Sequence, residues 1–150
     1  MDRDLLPLTL LAVGEEQSVN GITRFQKLIF LAQKELEDLP DLYEFRADKY
    51  GPFSRGLYDD IDELVEKGYA ELDTESTRLG EDKKVYRLTE KGEDKLKSEL
   101  MSEDFEFRIT NLGDLMDEYE DKGLWPLLKY VYREYPSMAE ESTLNIGLGT

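Results

Sequence analysis

The chain has 150 residues, 39% of them hydrophobic, enough for one core with a small helical annex. It contains no cysteine and no histidine, which excludes disulfides and thiol chemistry and removes the commonest general base and the commonest transition-metal ligand. Its 35 acidic residues against 19 basic ones give a net charge of −16, the opposite of what a generic nucleic-acid binder is expected to carry. The acidic residues are spread along the whole chain, which fits a salt-adapted, halophilic archaeal protein, since at about 1 M salt charges more than roughly 3 Å apart are screened.

The apolar run Leu5 to Val13, interrupted by Thr9, is far too short to cross a bilayer. It follows Asp2, Arg3 and Asp4 rather than the positive flank of a secretory signal. We read it as a buried helix over Asp4 to Glu16, Pro7 lying in its opening turn, in a cytoplasmic protein with no membrane partner. Asn20-Gly21 breaks the chain. Ile22, Phe25, Leu28, Ile29, Ala32 and Leu36 then recur at helical spacing and predict a second helix to about Asp38, ended by Leu39-Pro40-Asp41.

Tyr43 to Tyr50 reads as an extended stretch closed by Gly51-Pro52. Ser54 is placed to cap a third helix whose buried stripe is Leu57, Ile61, Leu64 and Val65, with Gly68 as its terminating glycine. Tyr69 to Asp73 is expected to be a strand, Thr74 to Lys83 a polar loop containing Gly80, and Val85 to Leu88 a second strand with Tyr86 and Leu88 facing one way. Thr89 then caps a fourth helix, Glu90 to Leu100. Helix, strand, polar hairpin loop, strand, helix is the layout of a wing.

Met101 to Arg108 is acidic and reads as an irregular linker or a strand. Beyond it, Leu112, Leu115, Met116 and Tyr119 form one apolar stripe, and Leu124, Leu127, Leu128, Val131, Tyr132 and Tyr135 form another across a turn at Glu120 to Gly123. That pattern is an αα-hairpin broken by Pro136, with Trp125 and Tyr132 at core spacing, a partial turn from Ser137 and then a frayed, glycine-containing tail. Because a 100-residue domain can bury a core of its own, the stripe of Leu112, Leu115, Met116, Tyr119, Leu124, Leu127, Leu128 and Val131 is expected to mediate a homodimer.

Leu64-Val65-Glu66-Lys67-Gly68-Tyr69-Ala70-Glu71-Leu72, followed by Val85-Tyr86-Arg87-Leu88-Thr89-Glu90-Lys91-Gly92, resembles the helix–wing–helix passage of winged helix-turn-helix regulators. Phe25-Gln26-Lys27-Leu28-Ile29-Phe30-Leu31-Ala32-Gln33, followed by Lys49-Tyr50-Gly51-Pro52-Phe53-Ser54, is more loosely similar to Panacea-type, SocA-like antitoxin domains and related archaeal winged-helix proteins. The first resemblance implies sequence-specific DNA binding. The second implies neutralising or bridging another protein. Together with the element pattern they give a mainly α fold with a small β-wing (α+β), a winged helix over residues 1–100 and a helical hairpin over 101–150.

In such a fold the helix over 54–67 is the recognition helix, and the wing reaches the flanking DNA backbone. Its outer face carries Arg55, Tyr58, Asp59, Asp62, Glu63 and Glu66, so only the N-terminal end, with Arg55 and the nearby Arg46 and Lys49, is basic. A phosphate is favoured at that end by the helix dipole. The candidate DNA-binding residues are therefore Arg46, Lys49, Ser54, Arg55 and Tyr58, with Arg78, Lys83 and Lys84 on the wing. Plainer readings stand beside these: the three N-terminal cations are also what a solvated surface carries, Tyr58 equally suits the edge of the core, and Tyr50-Gly51-Pro52 reads better as a turn with Tyr50 packed inside.

Asp59, Asp60, Asp62 and Glu63 read as a solvated face rather than a metal site, because helical neighbours point in different directions. No phosphate-binding glycine loop, nucleotide fingerprint or nucleophile elbow is present. We therefore expect no cofactor, no metal and no catalysis, with DNA as the expected partner and a protein partner as the alternative.

Overall fold

A helix that is apolar on every side has to be covered on every side. Helix α1 (Leu5–Val13) is such a helix: Leu5, Leu6, Leu8, Leu10 and Leu11 are all buried. In a computed structural model, which describes residues 3–36, 39, 41–76, 82–99, 103–120 and 123–141, the remaining elements pack around it. They are β1 (Ser18–Asn20), α2 (Ile22–Glu35), β2 (Arg46–Asp48), β3 (Gly51–Phe53), α3 (Arg55–Glu66), β4 (Ala70–Ser76), β5 (Asp82–Leu88), α4 (Glu90–Glu99), α5 (Glu103–Glu120) and α6 (Leu124–Glu134). The protein is mixed α+β, and α1 touches α2, α3, α4, α5 and β5.

The strands form two antiparallel units. In one the order is β1-β5-β4, with Val19 opposite Tyr86 and Leu72 opposite Tyr86 on the other side. β5 is thus a central strand, and Val85 and Tyr86 are both buried. The expected polar loop over 74–83 is shorter than its composition suggested, because pairing continues to Ser76 opposite Asp82. Arg87 holds that hairpin together by bonding Asp73 (3.0 Å) and Glu75 (2.7 Å) on the facing strand. The second unit is the β2–β3 hairpin, in which Arg46 stands opposite Phe53 and Asp48 opposite Gly51.

Two other expectations are corrected. Of the stretch Met101 to Arg108 read as a linker or strand, the described residues, 103–108, are helical: α5 runs from Glu103 to Glu120. No proline or glycine interrupts residues 103–112, so nothing in that segment stops a helix before Gly113. The stripe assigned to dimerisation is also not left over for a partner. Leu112, Leu115, Met116, Tyr119, Leu127, Leu128 and Val131 are buried within the chain, Leu124 is half-buried, and all belong to the cluster that contains α1 and α2. Polar bonds tie the hairpin down as well. Glu35 of α2 accepts hydrogen bonds from Tyr119 of α5 and Tyr130 of α6, and Arg24 donates to the Tyr119 carbonyl (2.8 Å).

Helix α3 ends as the sequence requires. Gly68 sits at φ +80°, its N–H bonding Val65 O while Tyr69 N–H reaches Leu64 O, which is a Schellman closure. Thr89 Oγ1 accepts from Gly92 N–H (3.1 Å) at the start of α4 and donates to Gly68 O (2.6 Å), so one side chain joins the two helices. Arg78, Gly80, Lys122, the Trp125 side chain and the tail beyond Glu141 lie outside the described residues. Among the described residues, no helix is long and apolar enough to cross a membrane.

Candidate nucleic-acid interface

Helix α2 acts as a jig for the segment that leads into α3. Phe25 to Gln33 is buried without interruption, so the polar residues in that run must find partners inside. Gln26 Oε1 accepts from Ser54 N–H (2.8 Å) and Gln26 Nε2 donates to Ser54 O (3.0 Å). Two turns further on, Gln33 Oε1 accepts from Leu42 and Tyr43 N–H (3.1 and 2.9 Å), and its Nε2 donates to Tyr43 O (3.0 Å). Two glutamines seven residues apart thus clamp both ends of the 42–54 segment to one helix face. Gln26→Leu should cost about 1–3 kcal/mol, because it orphans the buried Ser54 N–H; a chemical-denaturation midpoint unchanged from the parent protein would contradict that role.

Between the clamps lies Lys27, only 1% exposed. Its ammonium donates to Thr23 O (3.3 Å) and lies beside Gly51, which turns the β2–β3 hairpin at φ +94°. A methyl group on Gly51 would come within 2.9 Å of Leu128 Cδ2 and 3.1 Å of Lys27 Cε. The Lys27-Leu28 and Tyr50-Gly51-Pro52 segments therefore meet in space. Burial lowers the Lys27 pKa to about 7, against the smaller opposing pull of Asp48. Tyr50 itself is not in the core as expected: it is 53% exposed, because Lys49 and Tyr50 form the tip of the hairpin while Gly51 and Pro52 are buried beneath it.

The N-terminal end of α3 is fixed from a second direction. Arg3 forms a two-pronged bond to Asp60 (2.8 and 3.1 Å), and Tyr43 donates its hydroxyl to the same carboxylate (2.7 Å). Burial, followed by the bond to Asp60, holds the Tyr43 phenol well above its ordinary pKa. Asp60 is thus an internal anchor and not part of a solvated acidic face.

The predicted contact residues separate into groups. Ser54 is buried at 2%, with its hydroxyl accepting from Leu57 N–H (3.2 Å), so it is a helix cap and offers no surface contact. Arg46 and Arg55 are exposed and line one cleft together with Arg3, Lys34, Phe45 and Phe53, because the hairpin register sets Arg46 opposite Phe53, two residues before Arg55. Arg55 pairs with Asp59 (3.2 Å), and its guanidinium lies 5.4 Å from the half-exposed Tyr58 ring. Lys49 lines a neighbouring, smaller cleft at the hairpin tip. Lys83 and Lys84 are exposed on β5, and neither lines that cleft. Asp59, Asp62, Glu63 and Glu66 are exposed along the rest of α3.

Sequence reading missed Arg3, Gln26, Lys27, Gln33 and Lys34 as residues that shape or line this region. No family model and no curated protein matches this chain.

Proposed function

We propose that the protein is a winged helix-turn-helix transcriptional regulator that binds DNA sequence-selectively, with α3 as its recognition helix and the β4–β5 hairpin as its wing. The order α1, β1, α2, α3, β4, β5, α4, with the β2–β3 hairpin inserted between α2 and α3, and the β1-β5-β4 sheet support this reading. The observation that carries it is the gathering of Arg46 and Arg55 at the N-terminal end of α3, in a chain whose net charge is −16. That end also bears the positive pole of the helix, so a phosphate is favoured there twice over. A two-fold dimer would set two copies of α3 about one DNA turn, roughly 34 Å, apart. The hairpin stripe, buried in its own chain except for the half-buried Leu124, does not supply that dimer's interface.

The four carboxylates exposed along α3 favour a second reading, a protein-interaction module of antitoxin type that neutralises a partner without reading DNA. Fluorescence anisotropy separates the two. The probe is the DNA upstream of the protein's own gene, with scrambled competitor, from low to molar potassium chloride. The DNA reading expects saturable, selective binding with a salt slope set by a few phosphates, weakened about tenfold or more by Arg55→Glu. Absence of binding at every salt concentration rejects it in favour of the protein partner, to be sought by affinity capture.

A further inference from the structure

The cleft beside α3 has a volume of about 990 Å³, the size range of small-molecule sites. Two features of its lining distinguish it from a general patch of surface charge. Lys34, Arg46 and Arg55 bring cations from three different elements to one concavity, with Asp41 and Glu44 as the opposing carboxylates. Among the described residues, neither Lys34 nor Arg46 has an ion-pair partner. The second feature is aromatic. Phe45 and Phe53, both half-buried, line the same cleft, and Phe45 is fixed edge-on against the buried Phe30 with ring centres 5.3 Å apart.

Rigid rings beside the unpaired Arg46 guanidinium and the Arg55 guanidinium, which is held only by an exposed ion pair to Asp59, recognise a particular kind of molecule. A flat ring gains contact with the phenyl groups, and an anionic group accepts charge-assisted bonds from Arg46 and Arg55. We infer that this cleft binds a small organic anion carrying a planar ring, either an aromatic carboxylate or a nucleoside monophosphate. The occupant takes up the two arginines that the DNA-binding reading assigns to phosphates, so ligand and DNA exclude each other; that consequence rests on the proposed function, whereas binding to the free protein does not.

The test uses the full chain and titration calorimetry at low salt, with salicylate, adenosine 5′-monophosphate and inorganic phosphate as separate probes. At least one ringed anion is expected to bind saturably and more tightly than inorganic phosphate, and the comparison between the two identifies the anionic group. Arg46→Gln, a change at an exposed position, is expected to weaken that binding about tenfold. Phe45→Leu is expected to weaken the ringed anion while leaving inorganic phosphate unchanged, with thermal unfolding confirming that the variant is folded. Failure of both ringed probes to saturate overturns the inference, as does binding that Arg46→Gln leaves intact or inorganic phosphate binding equally well. If the anion binds and fails to displace DNA from a protein that does bind DNA, the exclusion is wrong. If the anion binds and DNA never does, the proposed function fails and the ligand site stands.

Discussion

Gly92→Ala is expected to destabilise the protein by about 3 kcal/mol, even though alanine is the better helix former by about 1 kcal/mol. A Cβ at position 92 would lie 2.0 Å from the Tyr69 carbonyl oxygen and 2.9 Å from Leu88 Cδ1. The first of these atoms is backbone and cannot rotate away. Tyr69 O already accepts from Thr89 N–H (3.2 Å), and Tyr69 N–H closes the end of α3. Relief requires α4 to move off the sheet, breaking the Thr89–Gly68 bond and the bond from Lys91 Nζ to Lys67 O (2.6 Å). Gly113→Ala supplies the control. It lies in α5 where, among the described residues and apart from its own helix backbone and chain neighbours, no atom comes within 4 Å of the added methyl, and it should stabilise by up to about 1 kcal/mol. Urea denaturation of both variants reads the difference. Equal and favourable shifts would show that α4 does not approach the Tyr69 backbone this closely.

Lys27→Met is expected to stabilise the protein, by about 2–4 kcal/mol at pH 7, and to flatten its pH dependence. Burial lowers the folded-state pKa of Lys27 from the ordinary 10.5 to about 7, so between those values the unfolded chain binds a proton that the folded chain has released. Stability therefore rises with pH across that window and falls as pH is lowered from about 10.5 toward 7, where the full penalty is reached. Methionine has a similar length and no charge to desolvate, so its advantage is largest at and below pH 7 and shrinks toward pH 10. The measurement is the difference in unfolding free energy between parent and variant at several pH values, which cancels the background from the other titrating groups. A difference that does not change with pH would mean that Lys27 keeps its proton when folded.

The same lysine shows where sequence reading stopped. Spacing placed Phe25, Leu28, Ile29 and Ala32 on a buried face correctly, because apolar residues at 3.6-residue intervals have one physical outcome. It gave no reason to bury Gln26, Lys27 and Gln33 too. Their burial follows from the β2–β3 hairpin and α6 closing over the other side of α2, and those contacts join residues far apart in the chain. Strand β1 escaped for a related reason. Ser18, Val19 and Asn20 carry no strand pattern of their own, and they are extended only because β5 offers an open edge to them.

The sequence by itself determined the elements whose cause is local. The apolar α1, the Ser54 and Thr89 caps, the glycine end at Gly68, the exposed and buried faces of α3, and both stripes of the C-terminal hairpin could all be read from residue order. Tertiary structure alone decided what those elements are for. It turned the hairpin stripes inward as core, drew Asp60 into an anchor with Arg3 and Tyr43, and put Tyr50 at an exposed tip. It also divided the predicted contact residues between the cleft at Arg46 and Arg55 and the separate strand at Lys83 and Lys84. The physical reason is that periodicity records how much of a side chain's surface must leave water, whereas its partner is chosen by the whole chain's closure, and a sequence pattern carries no information about which distant surface arrives to cover it.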